Sequence, residues 1–194
     1  MSKEWYENEK SLVVGSMQHL ANREGMSLAQ TFMQAEVIIL LDCSGSMGMR
    51  DAQDGMAREE VAEIELEKLQ NAMPGKIALV CFADDVEFSP TGRPIHVGGS
   101  TNLNKGLRYI KQADEVDMRF IVISDGEPNS RSKALAIAKT FKNKIDTIFV
   151  GSVNRDGGRD FLIELARVSG GEHVTMEKCL ELSAGIMGLL SSGL

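Results

Sequence analysis

Val37-Ile38-Ile39-Leu40-Leu41-Asp42-Cys43-Ser44-Gly45-Ser46-Met47-Gly48 starts as an unbroken apolar, β-branched run and passes within one residue into a carboxylate and two hydroxyls. The apolar half reads as a strand buried on both faces, the habit of a parallel sheet. The polar half spaces Asp42, Ser44 and Ser46 two residues apart. Gly45 lets the chain turn sharply between the serines, so the three side chains can converge above the strand end. An all-oxygen cluster of this kind suits a hard divalent cation and suits zinc or copper poorly.

From Glu36 onward, strand-like and helix-like segments alternate. This predicts an α/β fold, a doubly wound and mostly parallel sheet with helices on both faces. After the first strand, the spacing of Ala62, Leu66, Leu69 and Met73 predicts a helix over about Gln53 to Ala72, stopped by Pro74-Gly75. Ile77 to Phe82 is the second strand, and Val86-Glu87-Phe88 beyond the Asp84-Asp85 turn reads as a short antiparallel edge strand. Leu103, Leu107 and Ile110 form the buried face of a helix opened by Gly98 to Asn102. Phe120 to Ser124 is a central strand ending in Asp125-Gly126. A helix over Ser132 to Phe141, a strand at Ile145 to Val150, a helix near Asp160 to Val168, a strand at His173 to Thr175 and a terminal helix carrying Leu180, Ile186, Met187 and Leu190 follow.

Three separate pieces of chain therefore end in oxygen ligands: the Asp42-Ser44-Ser46 loop, Thr101 at a helix mouth, and Asp125 at a strand end. Open α/β sheets bind ligands outside the carboxyl ends of their strands, where the strand order reverses. Singly, each residue also reads as a helix cap or turn former. Their conjunction is what points to a metal.

On these residues the chain resembles a von Willebrand factor type A domain from about Glu36 to its C-terminus. That family's metal-ion-dependent adhesion site has the pattern Asp-x-Ser-x-Ser, a distant Thr and a later Asp-Gly, matched here by Asp42, Ser44, Ser46, Thr101 and Asp125-Gly126. The resemblance implies Mg²⁺ or Mn²⁺ touched by Ser44, Ser46 and Thr101, with Asp42 and Asp125 often acting through water. Neutral hydroxyls leave such a cation electrophilic, so its open position favours a Glu or Asp from a partner protein. The resemblance further implies no enzymatic activity and an adaptor role in a multiprotein or AAA+ ATPase-linked assembly. It also implies a terminal segment, Glu177 to Leu190, that relays occupancy.

The rest of the chain narrows the choice. At 194 residues it supports one full core, read as a domain over 36–194 with a helical extension over 1–35. In that extension Leu12, Val13, Met17 and Leu20, then Met26, Leu28, Phe32 and Met33, are spaced as one or two amphipathic helices broken near Gly25; it reads as an appendage packed on the domain, with a partner-binding helix as the alternative. A formal charge of -7 with pI near 5.1 and no basic stripe argues against nucleic acid and anionic membranes. With no signal core and no spanning run, a cytoplasmic location is expected. Cys43, Cys81 and Cys179 lack metal or redox spacing and read as reduced and buried, although Cys43 and Cys81 lie near the ends of two strands. His19, His96 and His173 show no ligand spacing. Asp51 and Asp54 read as exposed loop acids, with a rim or second cation site as the alternative, and Glu127-Pro128-Asn129 is expected to shape the loop beside Asp125. No phosphate-binding Gly-x-x-x-x-Gly-Lys-Ser/Thr run occurs. The enzymatic alternative, a Mg²⁺-dependent phosphotransferase or phosphatase of haloacid-dehalogenase type, expects an Asp where Ser44 stands, and serine is no general acid near neutral pH.

Overall fold

The computed structural model describes residues 12–96, 98–151, 156–176 and 182–191. Six strands, β1 Val37–Asp42, β2 Ile77–Phe82, β3 Val86–Ser89, β4 Arg119–Ser124, β5 Ile145–Val150 and β6 His173–Met176, form one sheet in the order β3-β2-β1-β4-β5-β6. All pairings are parallel except β2 with β3, which is antiparallel. The expected fold class is therefore the one observed. Seven α-helices lie among the described residues: α1 Met17–Glu24, α2 Leu28–Phe32, α3 Arg58–Ala72, α4 Leu103–Ile110, α5 Arg131–Ala138, α6 Asp156–Ser169 and α7 Leu182–Ser191.

Alternation along the strands divides the core into two layers. Ile39, Leu41, Leu79, Cys81, Ile121, Ile123 and Ile148 face α3 and α7, meeting Ala62, Leu66, Leu69, Leu182 and Ile186. Leu40, Val80, Phe82, Phe120, Val122 and Phe149 face the other way, toward Leu103 and Leu107 of α4, Ala134 of α5 and Phe161 and Leu165 of α6. With β1 central and the chain passing first to β2 and later to β4, the strand order reverses between β1 and β4. Asp42 ends one of these strands, and Asp125 follows the other.

Residues 12–35 dock beside β3. The Val13 amide donates to the Thr91 carbonyl at 3.0 Å and the Gln18 amide to that of Pro90 at 2.8 Å, while Met17 enters the second core layer. Gly15 sits at φ 85° with Gln70 O 2.1 Å from where a Cβ would stand, so no larger residue fits beneath α3. Gly25 ends α1 in the left-handed conformation, matching the expected break. Met33, placed on the apolar stripe by its spacing, is instead 78% exposed because α2 is only five residues long.

The helix after the first motif starts at Arg58, later than its periodicity suggests. Asp54 and Gly55 both adopt positive φ, 56° and 73°, and that left-handed pair interrupts the helical path. Ala57 precedes the first turn, and Glu60 reaches back to its amide at 2.8 Å. Leu180 and Cys179 lie outside the described residues.

Candidate metal centre

Asp42 is fully buried at the end of β1. One carboxylate oxygen accepts the Ser44 amide at 2.8 Å and the other accepts the Ser124 hydroxyl at 2.5 Å. Burial pushes its pKa up to about 6, against the lowering effect of these bonds and with a further upward contribution from the Asp125 charge. Ser44 Oγ and Ser46 Oγ stand 3.2 Å apart, and Ser46 Oγ donates to Asp125 Oδ1 at 2.8 Å. A continuous path of oxygens thus joins the loop after β1 to the loop after β4.

Thr101 is tied into this group through its main chain. Its carbonyl accepts the Asn129 amide at 2.9 Å, and two residues earlier the Gly99 carbonyl accepts the Gly45 amide at 3.3 Å. The three loops are therefore knitted to one another, and Asn129 shapes the Asp125 side as expected; its Nδ2 also donates to Ser100 Oγ at 3.1 Å. Asp84 does more than turn the chain. It accepts the Gly99 amide at 2.9 Å and the Ser100 hydroxyl, and these bonds, the Ser100 one foremost, hold its carboxyl below the usual range.

Two close approaches fix the Asp125 loop from behind. A Cβ on Gly158, in the first turn of α6, would lie 2.8 Å from the Gly126 Cα and carbonyl carbon, so the helix reaches that loop only because glycine stands there. On the other side, Arg58, 1% exposed, donates from Nη1 to Asp125 Oδ2 and from Nε and Nη2 to the two oxygens of Asp51 at 2.8 and 2.6 Å. The hydrogen bond to Asp51 is the leading cause that raises the guanidinium's already high pKa. Asp51 is thus bound to an arginine and is no free rim acid.

Sequence reading passed over Arg58, Ser124 and the bracing role of Asp84. The signal for Arg58 was present: Arg58, Val61, Ala62, Glu65, Leu66 and Leu69 share one helical stripe and are all buried, and a charge on an apolar stripe marks a buried pair. Glu65 on that stripe accepts the Ser183 hydroxyl at 2.6 Å, fastening α7 to α3. Beneath the loop, Cys43 and Cys81 are free, buried thiols. Contact with Cys81, then burial, pushes the Cys43 pKa up, favouring the thiol form.

The donor set can be tested against a hard cation. Octahedral Mg²⁺ with ligands near 2.1 Å holds neighbouring oxygens about 3.0 Å apart. The Ser44–Ser46 and Ser46–Asp125 oxygen separations, 3.2 and 2.8 Å, straddle that spacing. Hydroxyls carry the set, since among the described residues no group of three or more His, Cys, Asp or Glu side chains could hold a metal ion.

A doubly wound sheet of this strand order, with its oxygen-lined loops at the switch between β1 and β4, defines the fold as that of a von Willebrand factor type A domain. Solved structures bear this out. An aerotolerance-related membrane protein from Bacteroides fragilis is similar at TM-score 0.63 and 18% identity, covering 81% of this chain and 99% of that one. A conserved hypothetical protein, BatB from Bacteroides thetaiotaomicron, is similar at 0.62 and 20%, covering 81% and 98%. A von Willebrand factor type A structure from Catenulispora acidiphila aligns at 0.60 and 16%, covering 80% and 42%. The mussel byssus proximal thread matrix protein 1, solved with zinc in its adhesion-site motif, aligns at 0.57 and 18%, covering 90% of this chain and 51% of that one. No protein-family model and no curated protein sequence matches the chain. Among the described residues no helix is long and apolar enough to cross a membrane.

Proposed function

We propose that this chain is a metal-dependent protein-interaction module. Mg²⁺ or Mn²⁺ would be held by Ser44, Ser46 and Thr101 with Asp42 and Asp125 behind them, and would supply an electrophilic position open to a carboxylate. The observation that carries the reading is the Ser44–Ser46–Asp125 oxygen path, spaced like an edge of a hard cation's coordination shell. The chain's own residues fix the geometry. Ser124 and the Ser44 amide orient Asp42, Gly45 and Asn129 bring the Thr101 loop against the other two, and Gly158 lets α6 buttress Asp125. The zinc-filled motif of the mussel protein supports a divalent ion at this place in the fold.

The natural occupant of the open position is a Glu or Asp of a partner protein. On the family resemblance we read the module as a non-enzymatic adaptor of a multiprotein or AAA+ ATPase-linked assembly, and on the absence of a signal core and a spanning run in the sequence we propose a cytoplasmic location. The phosphotransferase reading is disfavoured, because the hydroxyl of Ser44 stands where such an enzyme needs an acid. Calorimetric titration with Mn²⁺ and capture from host lysate, each with wild type and Thr101→Ala, test the proposal. Metal binding by wild type, weakened in Thr101→Ala, and a partner retained only by wild type with Mg²⁺ are expected. A partner held equally in strong chelator would refute the adhesion mechanism and move the interface to residues 12–35.

A further inference from the structure

Arg58 places a buried positive charge directly against a carboxylate of the metal centre. Its Nη1 bonds Asp125 Oδ2 while Asp125 Oδ1 accepts from Ser46, so both oxygens of that carboxylate are engaged, one by a cation and one by a ligand hydroxyl. The rest of the fork is pinned by Asp51 at 2.8 and 2.6 Å. The planar head lies beside Gly151, where an added Cβ would be in van der Waals contact with Cζ and Nη1 at 3.5 Å. Arg58 is therefore a fixed charge held from three sides, unlike a surface side chain free to swing away.

The charge count follows. Among the groups bonded to Arg58 or to the Ser44 amide, Asp42, Asp51 and Asp125 contribute three negative charges and Arg58 one positive, leaving two, which one divalent cation balances. Without Arg58 the same ion would sit among surplus carboxylate charge and have little attraction left for a further anion. We propose that Arg58 is the specificity-determining residue of the centre: a built-in counter-cation that weakens the hold on the metal and thereby strengthens the hold on an acidic ligand. The inference rests on the metal-dependent reading above. It requires metal and anion affinities to move in opposite directions when Arg58 is changed, which a merely structural role cannot produce.

The test uses the full chain, Mn²⁺ by calorimetry, and acetate as the anion, read by water-proton relaxation of the Mn²⁺-loaded protein. For Arg58→Met, Mn²⁺ affinity rises about tenfold, the effect of removing one unit charge within about 6 Å of a divalent ion even at water's dielectric constant, and acetate affinity falls. Asp51→Asn changes an acid whose side chain is 45% exposed and acts in the opposite sense, weakening Mn²⁺ several-fold and strengthening acetate. Equal or weaker Mn²⁺ binding by Arg58→Met, or a joint fall of both affinities, overturns the proposal. Should Arg58→Met fail to fold, unchanged Mn²⁺ affinity in Asp51→Asn overturns it instead. Absence of Mn²⁺ binding by wild type defeats the metal reading and this inference together, whereas wild-type binding with the wrong response of the variants defeats only the inference.

Discussion

Replacing Asp42 by Asn should stabilise the metal-free protein while abolishing its response to metal. Asp42 is fully buried, and its pKa rises from 3.8 to about 6. At about 1.4 kcal/mol per unit, the ionised carboxylate costs the fold about 3 kcal/mol near neutral pH. The sign follows from linkage. The folded state favours the protonated acid, so this cost is absent below about pH 4, sets in above it and is complete once pH has risen through about 6. Asn keeps an oxygen for the Ser44 amide and offers Ser124 a neutral partner in place of a charge. Allowing for the weaker bonds of a neutral amide, a gain of about 1–2 kcal/mol remains, or roughly 5 °C in Tm for a domain of this size. The assay is thermal unfolding at pH 7 in chelator and in excess Mg²⁺. Wild type gains about 2.7 kcal/mol when the ion is at a hundredfold excess over its Kd, whereas Asp42→Asn gains none, so the order of stabilities inverts between the two buffers. A variant less stable than wild type in chelator, or one with an undiminished metal response, would refute the reasoning.

Ser124→Ala removes a hydroxyl donor from Asp42, so the acid holds its proton to higher pH; Mn²⁺ affinity should fall more at pH 6 than at pH 8, as calorimetry at the two values reads directly. Gly158→Ala drives a methyl into the Gly126 backbone at 2.8 Å, and we expect a loss of about 2 kcal/mol in urea unfolding together with weakened Mn²⁺ binding. Asp114 is buried, yet its carboxyl lies below the usual range: burial opposes this, but Lys111 and the amides of Lys142 and Asn143 outweigh it. Its stabilisation is therefore present above about pH 4 and lost as pH falls through its folded pKa, so Asp114→Asn should lose stability at pH 7 and show a shallower decline in acid denaturation.

Much of this architecture could be read from the chain because strands buried on both faces leave little ambiguity. Ile77–Phe82 and Ile145–Val150 fall where their apolar runs fall. The candidate site was legible for a related reason, since Asp42 and Asp125 each close such a run at a strand end. What escaped depended on distance in sequence. Nothing local to Arg58 names Asp125, 67 residues away, and nothing in Ser124 names Asp42, 82 residues away. Helix starts shifted where backbone conformation overrode periodicity, as at Asp54-Gly55 before α3. Met33 was misplaced because α2 stops before its stripe can pack.

The central position of β1 bears on how the protein is made. Val37–Asp42 is paired with β2 on one side and with β4 on the other, and β4 begins only at Arg119. At about 5–20 residues per second, the chain between Asp42 and Arg119 takes about 4–15 s to leave the ribosome. Over that interval a fully buried, largely apolar strand carries an unpaired edge, open to association with neighbouring nascent chains. Slower translation across residues 43–118 therefore lengthens the time for which that edge stays exposed.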